Sequence, residues 1–226
     1  MQFIILYLLI LIIPAIASMN ISSTYKKYKQ IENKNKLSGF EVARKILDEN
    51  GLEKIYIVEA PGELTDHYDP TQKVVRLSTD IFHGETIAAA AVAAHECGHA
   101  IQDKENYSFM RIRATLVPIV NLITYAAYIL FAASMLFQIF DLMPVAFVSV
   151  LFGLVFQLVT LPVEFDASKR ALVHLQKLEL VDKKEHEGTQ KMLKAAAMTY
   201  VASVLSSVLN LLRIVLMFSD RNTRRR

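Results

Sequence analysis

Four long apolar segments limit what this chain can fold into more than any other feature of its sequence. They cover residues 3–17, 115–140, 144–163 and 195–218, and charged stretches of ordinary composition separate them. A helix needs about 20 predominantly apolar residues to cross a bilayer, so each segment is long enough or nearly so. The hydrophobic fraction of 53% therefore indicates membrane helices rather than a large soluble core. We predict an integral membrane protein of mainly α class with a modest part in water.

The first apolar segment fits either an uncleaved membrane anchor or a signal peptide. Residues 15–18 (AIAS) have the small side chains of a cleavage site, which suits a signal peptide. No Lys or Arg precedes the apolar core, whereas Lys26, Lys27 and Lys29 follow it. This charge distribution favours an anchor over residues 1–18 whose C-terminal end lies inside the cell.

The rest of the chain divides into four further parts. Residues 19–114 form a polar, water-facing part, and residues 115–163 contain two apolar segments separated only by residues 141–143. So short a connection predicts a transmembrane helical hairpin. Residues 164–195 are charged with a helical pattern, and residues 196–226 contain the last apolar helix and a basic tail.

The water-facing part reads as short helices with a small β-structure. Ser38 can cap a helix that Gly51 ends in a left-handed conformation. Residues 53–60 and 73–79 alternate like strands around a loop of turn formers, which predicts a β-hairpin. Residues 85–106 are rich in alanine and predict a helix whose apolar run is too short to span a membrane.

The sequence HECGH within that helix fits the HExxH pattern of zinc peptidases. His95 and His99 are four residues apart, so both imidazoles lie on one helix face and can bind one metal ion. Glu96 can reach a water molecule at that metal and accept its proton as general base. Two histidines and a glutamate among alanines near a membrane cost free energy unless they have a function.

A catalytic zinc ion needs a third protein ligand and an open fourth position. The downstream candidates are Glu164, Asp166, His174 and His186. Glu164 is the best placed, because it follows directly where the predicted hairpin returns. An acid that complements a helix N-terminus is the alternative explanation for Glu164, and position alone leaves the choice open.

Four blocks of the sequence resemble the YugP-type neutral zinc metallopeptidases, a bacterial membrane family within the wider gluzincin group. The blocks are SGFEVARKIL, PGELTDHYDPTQKVVRLS, AVAAHECGHAIQD and LPVEFDASKRAL. Their order is similar to that of the HtpX-type membrane proteases, in which a transmembrane hairpin separates the HExxH helix from the helix that carries the glutamate ligand. The resemblance implies a zincin-like fold, one Zn²⁺ ion and Glu164 as the third ligand.

The sequence departs from the gluzincin pattern after Glu164. Many gluzincins have an aspartate four residues later that orients a zinc histidine, and this chain has Ser168 there. Ser168 can orient a histidine instead, or Asp166 can act elsewhere. His67 is a candidate for substrate binding, with a local turn as the alternative. Residues 73–79 are a candidate for an edge strand that pairs with an extended substrate, or else an ordinary strand.

The predicted function is hydrolysis of peptide bonds by a zinc endopeptidase, with protein or peptide substrates in or near the membrane. A site-two-type intramembrane protease is one alternative, but those enzymes place HExxH in a true span and have an LDG-like motif, which this chain lacks. A membrane scaffold with a degenerate zinc site is the other, and the intact Glu96 argues against it. The net charge of +3 does not indicate nucleic-acid binding, because the basic residues flank apolar segments.

The positions of the basic residues predict the topology. Lysines and arginines follow the first apolar segment, precede the second and follow the third, so all three flanks are expected in the cytoplasm of a bacterial cell. The zinc-binding part is therefore predicted to be cytoplasmic. The C-terminus conflicts with this rule, because a last segment that crosses would place the basic residues of 221–226 outside. Arg213 within that segment is also costly in lipid.

Cys97 is the single cysteine, which excludes an intramolecular disulfide.

Overall fold

The computed structural model describes residues 2–137 and 142–223. Within these residues the chain forms seven helices and three short strands. The helices are α1 (Gln2–Tyr28), α2 (Gly39–Glu49), α3 (Thr79–His83), α4 (Ile87–Lys104), α5 (Ser108–Phe137), α6 (Met143–Lys177) and α7 (Lys183–Thr223). The strands are β1 (Tyr56–Ala60), β2 (His67–Asp69) and β3 (Val74–Ser78). Residues 138–141 of the predicted hairpin turn and residues 224–226 of the basic tail lie outside the described residues.

Helices α1, α5, α6 and α7 are long and apolar enough to cross a membrane. They contain the four apolar segments of the sequence, and α5 packs along α6 as a helical hairpin. Helix α4 does not qualify as a span, in agreement with its short apolar length. The described residues therefore contain four candidate spans, and α4 is buried among other elements of the protein.

Helix α6 is continuous across residue 163, where the sequence suggested a boundary between the hairpin and the next segment. Glu164 consequently lies well inside a helix and does not complement a helix N-terminus. The boundary suggested at residue 195 likewise falls inside α7. Both helices extend from apolar into charged sequence without a break, so they connect the membrane part rigidly to the water-facing part.

The three strands form a sheet in the order β1-β3-β2. Strand β1 pairs with β3 in parallel, and β2 pairs with β3 in antiparallel orientation. The predicted hairpin of residues 53–60 and 73–79 is therefore wrong in its pairing. A parallel pair needs a connection of about a dozen residues, which residues 61–73 provide, and β2 within that connection occupies the antiparallel position. Strand β3 is central, so residues 73–79 cannot be the edge strand.

The predicted ends of α2 are confirmed. Ser38 and Glu41 form a reciprocal capping box, with the Ser38 side chain accepting from the Glu41 amide. Gly51 has a φ angle of 64°, which glycine adopts without the steric cost that other residues incur. These local signals fix α2 so that Val42 and Ile46 pack fully buried against α4 and its neighbours.

Helix α4 is the centre of the water-facing core. Its alanines at positions 88–91, 93 and 94 are fully buried, and α2, α6 and α7 pack around it. Small side chains allow neighbouring helices to approach closely on several sides at once. The alanine run is therefore the feature that lets one helix carry the HExxH residues into the protein interior.

Helices α4 and α6 approach each other closely at Gly98. A Cβ atom at this position would lie 2.6 Å from the backbone oxygen of Ala167, well inside van der Waals contact. Gly98 precedes His99, and Ala167 follows Glu164 by one helical turn. The missing side chain thus brings the helix that carries Glu164 against the helix that carries both histidines.

We predict that Gly98→Ala separates α6 from α4, because the added methyl group meets backbone rather than a flexible side chain. Overpacking of this kind typically costs about 1–3 kcal/mol. The variant should unfold at a lower temperature and retain less zinc after purification. Gly153→Ala is the matched control on α6, since nothing lies within 4 Å of its added Cβ. Equal thermal stability of the two variants would contradict this account of the interface.

Candidate metal centre

His95, His99 and Glu164 form a compact group of donor atoms within 4.8 Å of one another. The Oε2 atom of Glu164 lies 3.3 Å from Nε2 of His95 and 3.6 Å from Nε2 of His99. Two ligands about 2.1 Å from a tetrahedral zinc ion are about 3.4 Å apart. The two separations therefore match those of ligands that share one tetrahedral metal ion.

The far nitrogen of each histidine ring has its own hydrogen-bond partner. Nδ1 of His95 lies 3.2 Å from the hydroxyl oxygen of Ser168, and Nδ1 of His99 lies 3.0 Å from Oε1 of Gln102. When both oxygens accept, the proton of each ring sits on Nδ1 and the lone pair of Nε2 faces Glu164. Ser168 and Gln102 are therefore placed to accept from the Nδ1 protons when the Nε2 atoms bind a metal ion.

Asp166 contacts the site indirectly, through Gln102. The amide nitrogen of Gln102 donates to the Asp166 carboxylate at 2.9 Å and to the backbone oxygen of Val163 at 2.8 Å. Asp166 also accepts from Nε of Arg170 at 2.6 Å. Asp166 therefore lies behind Gln102 and does not face the donor group. Gln102, which the sequence reasoning missed, is three residues after His99 on the same helix face, and that spacing was the available signal.

Arg113 is a second residue that sequence reasoning did not place in the site. Its guanidinium donates to Oε1 of Glu164 at 3.1 Å, on the carboxylate oxygen that does not face the histidines. Glu164 is only 3% exposed, so the arginine compensates the negative charge and orients the carboxylate. Arg113 is far from Glu164 in sequence and close to the start of an apolar segment, so nothing in the sequence identified this contact.

Glu96 is held by the edge of the sheet. The backbone N–H of Tyr68 in β2 donates to Oε2 of Glu96 at 2.9 Å. The Tyr68 hydroxyl donates to Asp103 at 2.7 Å, which ties β2 to α4 a second time. Burial, followed by the contact with Asp103, raises the pKa of Tyr68, so it stays protonated at neutral pH. The Tyr68 amide therefore fixes one carboxylate oxygen of Glu96.

Two cavities meet at the donor group. The first has a volume of about 280 Å³ and is lined by His67, Glu96, Arg113 and Tyr200 among others. The second has a volume of about 160 Å³ and lies on the side of α1 and α7. His67 is exposed in β2 at the first cavity, with Nδ1 2.7 Å from the Thr65 oxygen. Its position suits contact with a bound molecule better than contact with the metal.

The pKa of His99 reflects the negatively charged groups around the ring. Burial lowers the pKa of His99, but the hydrogen bond to Glu164 and the charge of Glu96 outweigh it, and the net effect is a raised pKa. Protons therefore compete with metal for this ring, and metal affinity should fall in acid.

Cys97 and His174 lie away from the donor group. Cys97 is buried on the opposite face of α4, with its Sγ 3.5 Å from the Ala43 oxygen, and burial raises the pKa of the thiol. His174 contacts Asn50.

Similarity to known proteins identifies the family of the chain. A family model described as "Putative neutral zinc metallopeptidase" matches residues 3–219. The chain belongs to this family. The chain is also similar to the "Putative membrane protease YugP" of Bacillus subtilis (strain 168), to which it is 41% identical over 202 residues, covering 89% of this chain and 90% of that protein. The resemblance seen in the four sequence blocks is confirmed. No solved structure matches the chain.

We predict that Ser168→Ala weakens zinc binding by about tenfold or more, because the Nδ1 proton of His95 loses its acceptor. The change removes only one oxygen, so the fold should be retained. Ser149→Ala is the matched control, since its hydroxyl bonds to the Val145 oxygen within the same helix, remote from the site. Zinc affinity is measured by competition with a chelator. Equal affinities of the two variants would show that Ser168 does not orient the ring.

Proposed function

We propose that the protein is a membrane-bound zinc endopeptidase in which His95, His99 and Glu164 bind one zinc ion. The observation that carries the proposal is the convergence of three donor atoms within 4.8 Å of one another, with the Glu164 oxygen 3.3 Å and 3.6 Å from the two imidazole nitrogens. Two imidazoles and one carboxylate are the donor set of hydrolytic zinc sites, which keep a position open for water or substrate. Family membership supports zinc as the metal.

In the proposed mechanism Glu96 is the general base. Bound zinc would supply Lewis acidity, which makes a water molecule acidic near neutral pH. Glu96 follows His95 directly and lines both cavities, so its carboxylate adjoins the space where water and substrate would meet. It accepts the proton of the attacking water and delivers it to the leaving amine. The Tyr68 amide fixes the carboxylate in that direction.

Arg113, His67 and Tyr200 complete the polar lining of the larger cavity. Arg113 orients Glu164 by donating to the carboxylate oxygen that does not face the histidines. Arg113 therefore acts on the proposed metal ligand rather than on substrate. His67 and Tyr200 carry hydrogen-bond donors that can contact the carbonyl oxygen of a bound peptide, where negative charge develops during attack.

The two alternative functions have less support. A site-two-type protease would carry HExxH in a membrane span, whereas α4 is buried by protein and does not qualify as a span. A scaffold without catalysis does not need Glu96, yet this buried carboxylate is retained and specifically bonded. A peptidase that acts at the membrane surface accounts for both features.

The substrates are proposed to be proteins or peptides at the membrane. Glu164 and Arg113 belong to helices that also contain candidate spans, and both cavities are partly lined by such helices. A substrate that reaches the donor group therefore contacts the ends of the spanning helices.

We propose that α7 crosses the membrane beside α1 and that the metal site is cytoplasmic. The two helices pack against each other, and Ser206 donates to the Ile10 oxygen at 3.3 Å. Arg213 is accommodated by Asn210 at 2.8 Å and by the Tyr7 ring at 5.6 Å, which reduces its cost in lipid.

Single cysteines at exposed positions 53 and 190 in a Cys97→Ser background should react with an impermeant thiol reagent only after cells are permeabilised. Labelling on intact cells would contradict the proposed cytoplasmic location of the metal site.

The central catalytic prediction concerns Glu96→Gln. The variant should bind zinc as the wild type does but lose about 10²–10⁴-fold in peptide hydrolysis, because the amide cannot accept the proton. Zinc content and hydrolysis of casein are measured on the detergent-solubilised full chain. Glu53→Gln is the control, because Glu53 is exposed and lines neither cavity. Wild-type cleavage by Glu96→Gln would exclude this mechanism.

A further inference from the structure

The smaller cavity beside the donor group has an apolar wall built by membrane helices. Glu96, Glu164 and Ser168 line its polar end, together with His95. The remaining wall is mainly apolar and comes from α1, α4, α7 and the loop before β2. The apolar side chains of this wall include Ile21, Leu64, Val92, Met192, Ala196 and Ala197.

The cavity has the size of one large apolar side chain. Its volume is about 160 Å³, and an apolar cavity of about 150 Å³ is known to accept a benzene molecule. Two of the residues that line it on α7 are alanines, so the space exists because α7 carries small side chains at this level. A leucine or phenylalanine side chain would fill it and exclude water.

The cavity lies where two spans leave the apolar part of the bilayer. Helix α1 is apolar up to residue 18 and polar from Asn20 onward, and Ile21 lines the cavity at that transition. Helix α7 is charged up to Lys194 and apolar from Ala195 onward, and Ala196 and Ala197 line the cavity directly after that transition. The apolar wall is thus at the depth of the membrane interface.

We infer that this cavity is the specificity pocket of the peptidase and that it takes a large apolar side chain directly beside the scissile bond. The inference rests on the proposed function, because the cavity adjoins the proposed zinc ligands and general base. The favoured substrates are apolar segments at the membrane interface, whose side chains enter from the end of α1 and α7. An acidic side chain is disfavoured, because most of the wall is apolar and the carboxylates of Asp66, Glu96 and Glu164 line the same cavity and would repel its charge.

The pocket is tested with quenched fluorescent peptides that differ only in the residues flanking the cleaved bond. The wild-type, detergent-solubilised full chain should cleave peptides with Leu or Phe at one flanking position at least tenfold faster than those with Glu, and a Lys peptide is measured alongside them. Ala196→Phe should fill the cavity and reverse the order of Phe and Ala substrates. Met198→Phe is the matched control, because Met198 is exposed and lies on a different face of α7.

A second variant covers the case in which Ala196→Phe fails to fold. Leu64 is 54% exposed in the loop, so Leu64→Lys should leave the fold intact. Its positive charge at the pocket should lower cleavage beside Leu and raise cleavage beside Glu. Unchanged side-chain preference in Leu64→Lys, or an Ala196→Phe variant that folds and keeps the wild-type preference, would overturn the inference.

The failure of the pocket and the failure of the proposed function give different results. If wild type and Glu96→Gln release product at the same rate from every peptide, the proposed peptidase function is wrong. If wild type cleaves and Glu96→Gln does not, but Leu, Lys and Glu peptides are cleaved equally, the function stands and the pocket assignment is wrong. Mass spectrometry of the products identifies which bond is cleaved and on which side of it the apolar residue lies.

Discussion

The close contact of α4 and α6 at Gly98 is the constraint on which the rest of the site depends. Two histidines on one helix supply only two ligands, and a third must come from elsewhere in the chain. Because Gly98 has no side chain, the backbone at Ala167 approaches directly, and Glu164 one turn earlier reaches both imidazoles. The glycine within HECGH is thus a structural requirement of the metal site, although the motif itself permits any residue there.

Burial of so many polar groups is tolerated because nearly every one has a partner. Glu164 is paired by Arg113 and the two histidines, the histidines by Ser168 and Gln102, and Glu96 by the Tyr68 amide. An unpaired group at this depth would cost free energy of folding, whereas a complete network holds each ring and carboxylate in one orientation. The network extends from the sheet edge to α5 and α6, so the water-facing part and the spans together fix the site.

The sequence predicted those features that depend on local spacing. The i, i+4 spacing placed His95 and His99 on one face, the capping residues placed α2, and hydropathy placed the four candidate spans. Ser168 was predicted as a residue that can orient a histidine, and its hydroxyl does lie at His95. The catalytic and ligand roles stay predictions until they are tested.

The features that the sequence did not predict depend on contacts between distant segments. The pairing of β1 with β3 follows from the path of a long connection, and alternation alone cannot distinguish a parallel from an antiparallel pair. Arg113 appeared as a basic residue beside an apolar segment, and its contact with Glu164 depends on how α5 packs along α6. The apolar pocket likewise requires α1 and α7, which lie at opposite ends of the chain, to pack together.

X-ray absorption at the zinc edge tests the central claim most directly, because it reports the ligands of the metal without assuming activity. The purified full chain should contain one zinc ion with two imidazole ligands and oxygen atoms in the remaining positions. Glu164→Ala should lose zinc or replace the carboxylate with solvent while keeping both imidazoles. A sulfur ligand, three imidazoles, or an unchanged spectrum and full zinc content in Glu164→Ala would contradict the account.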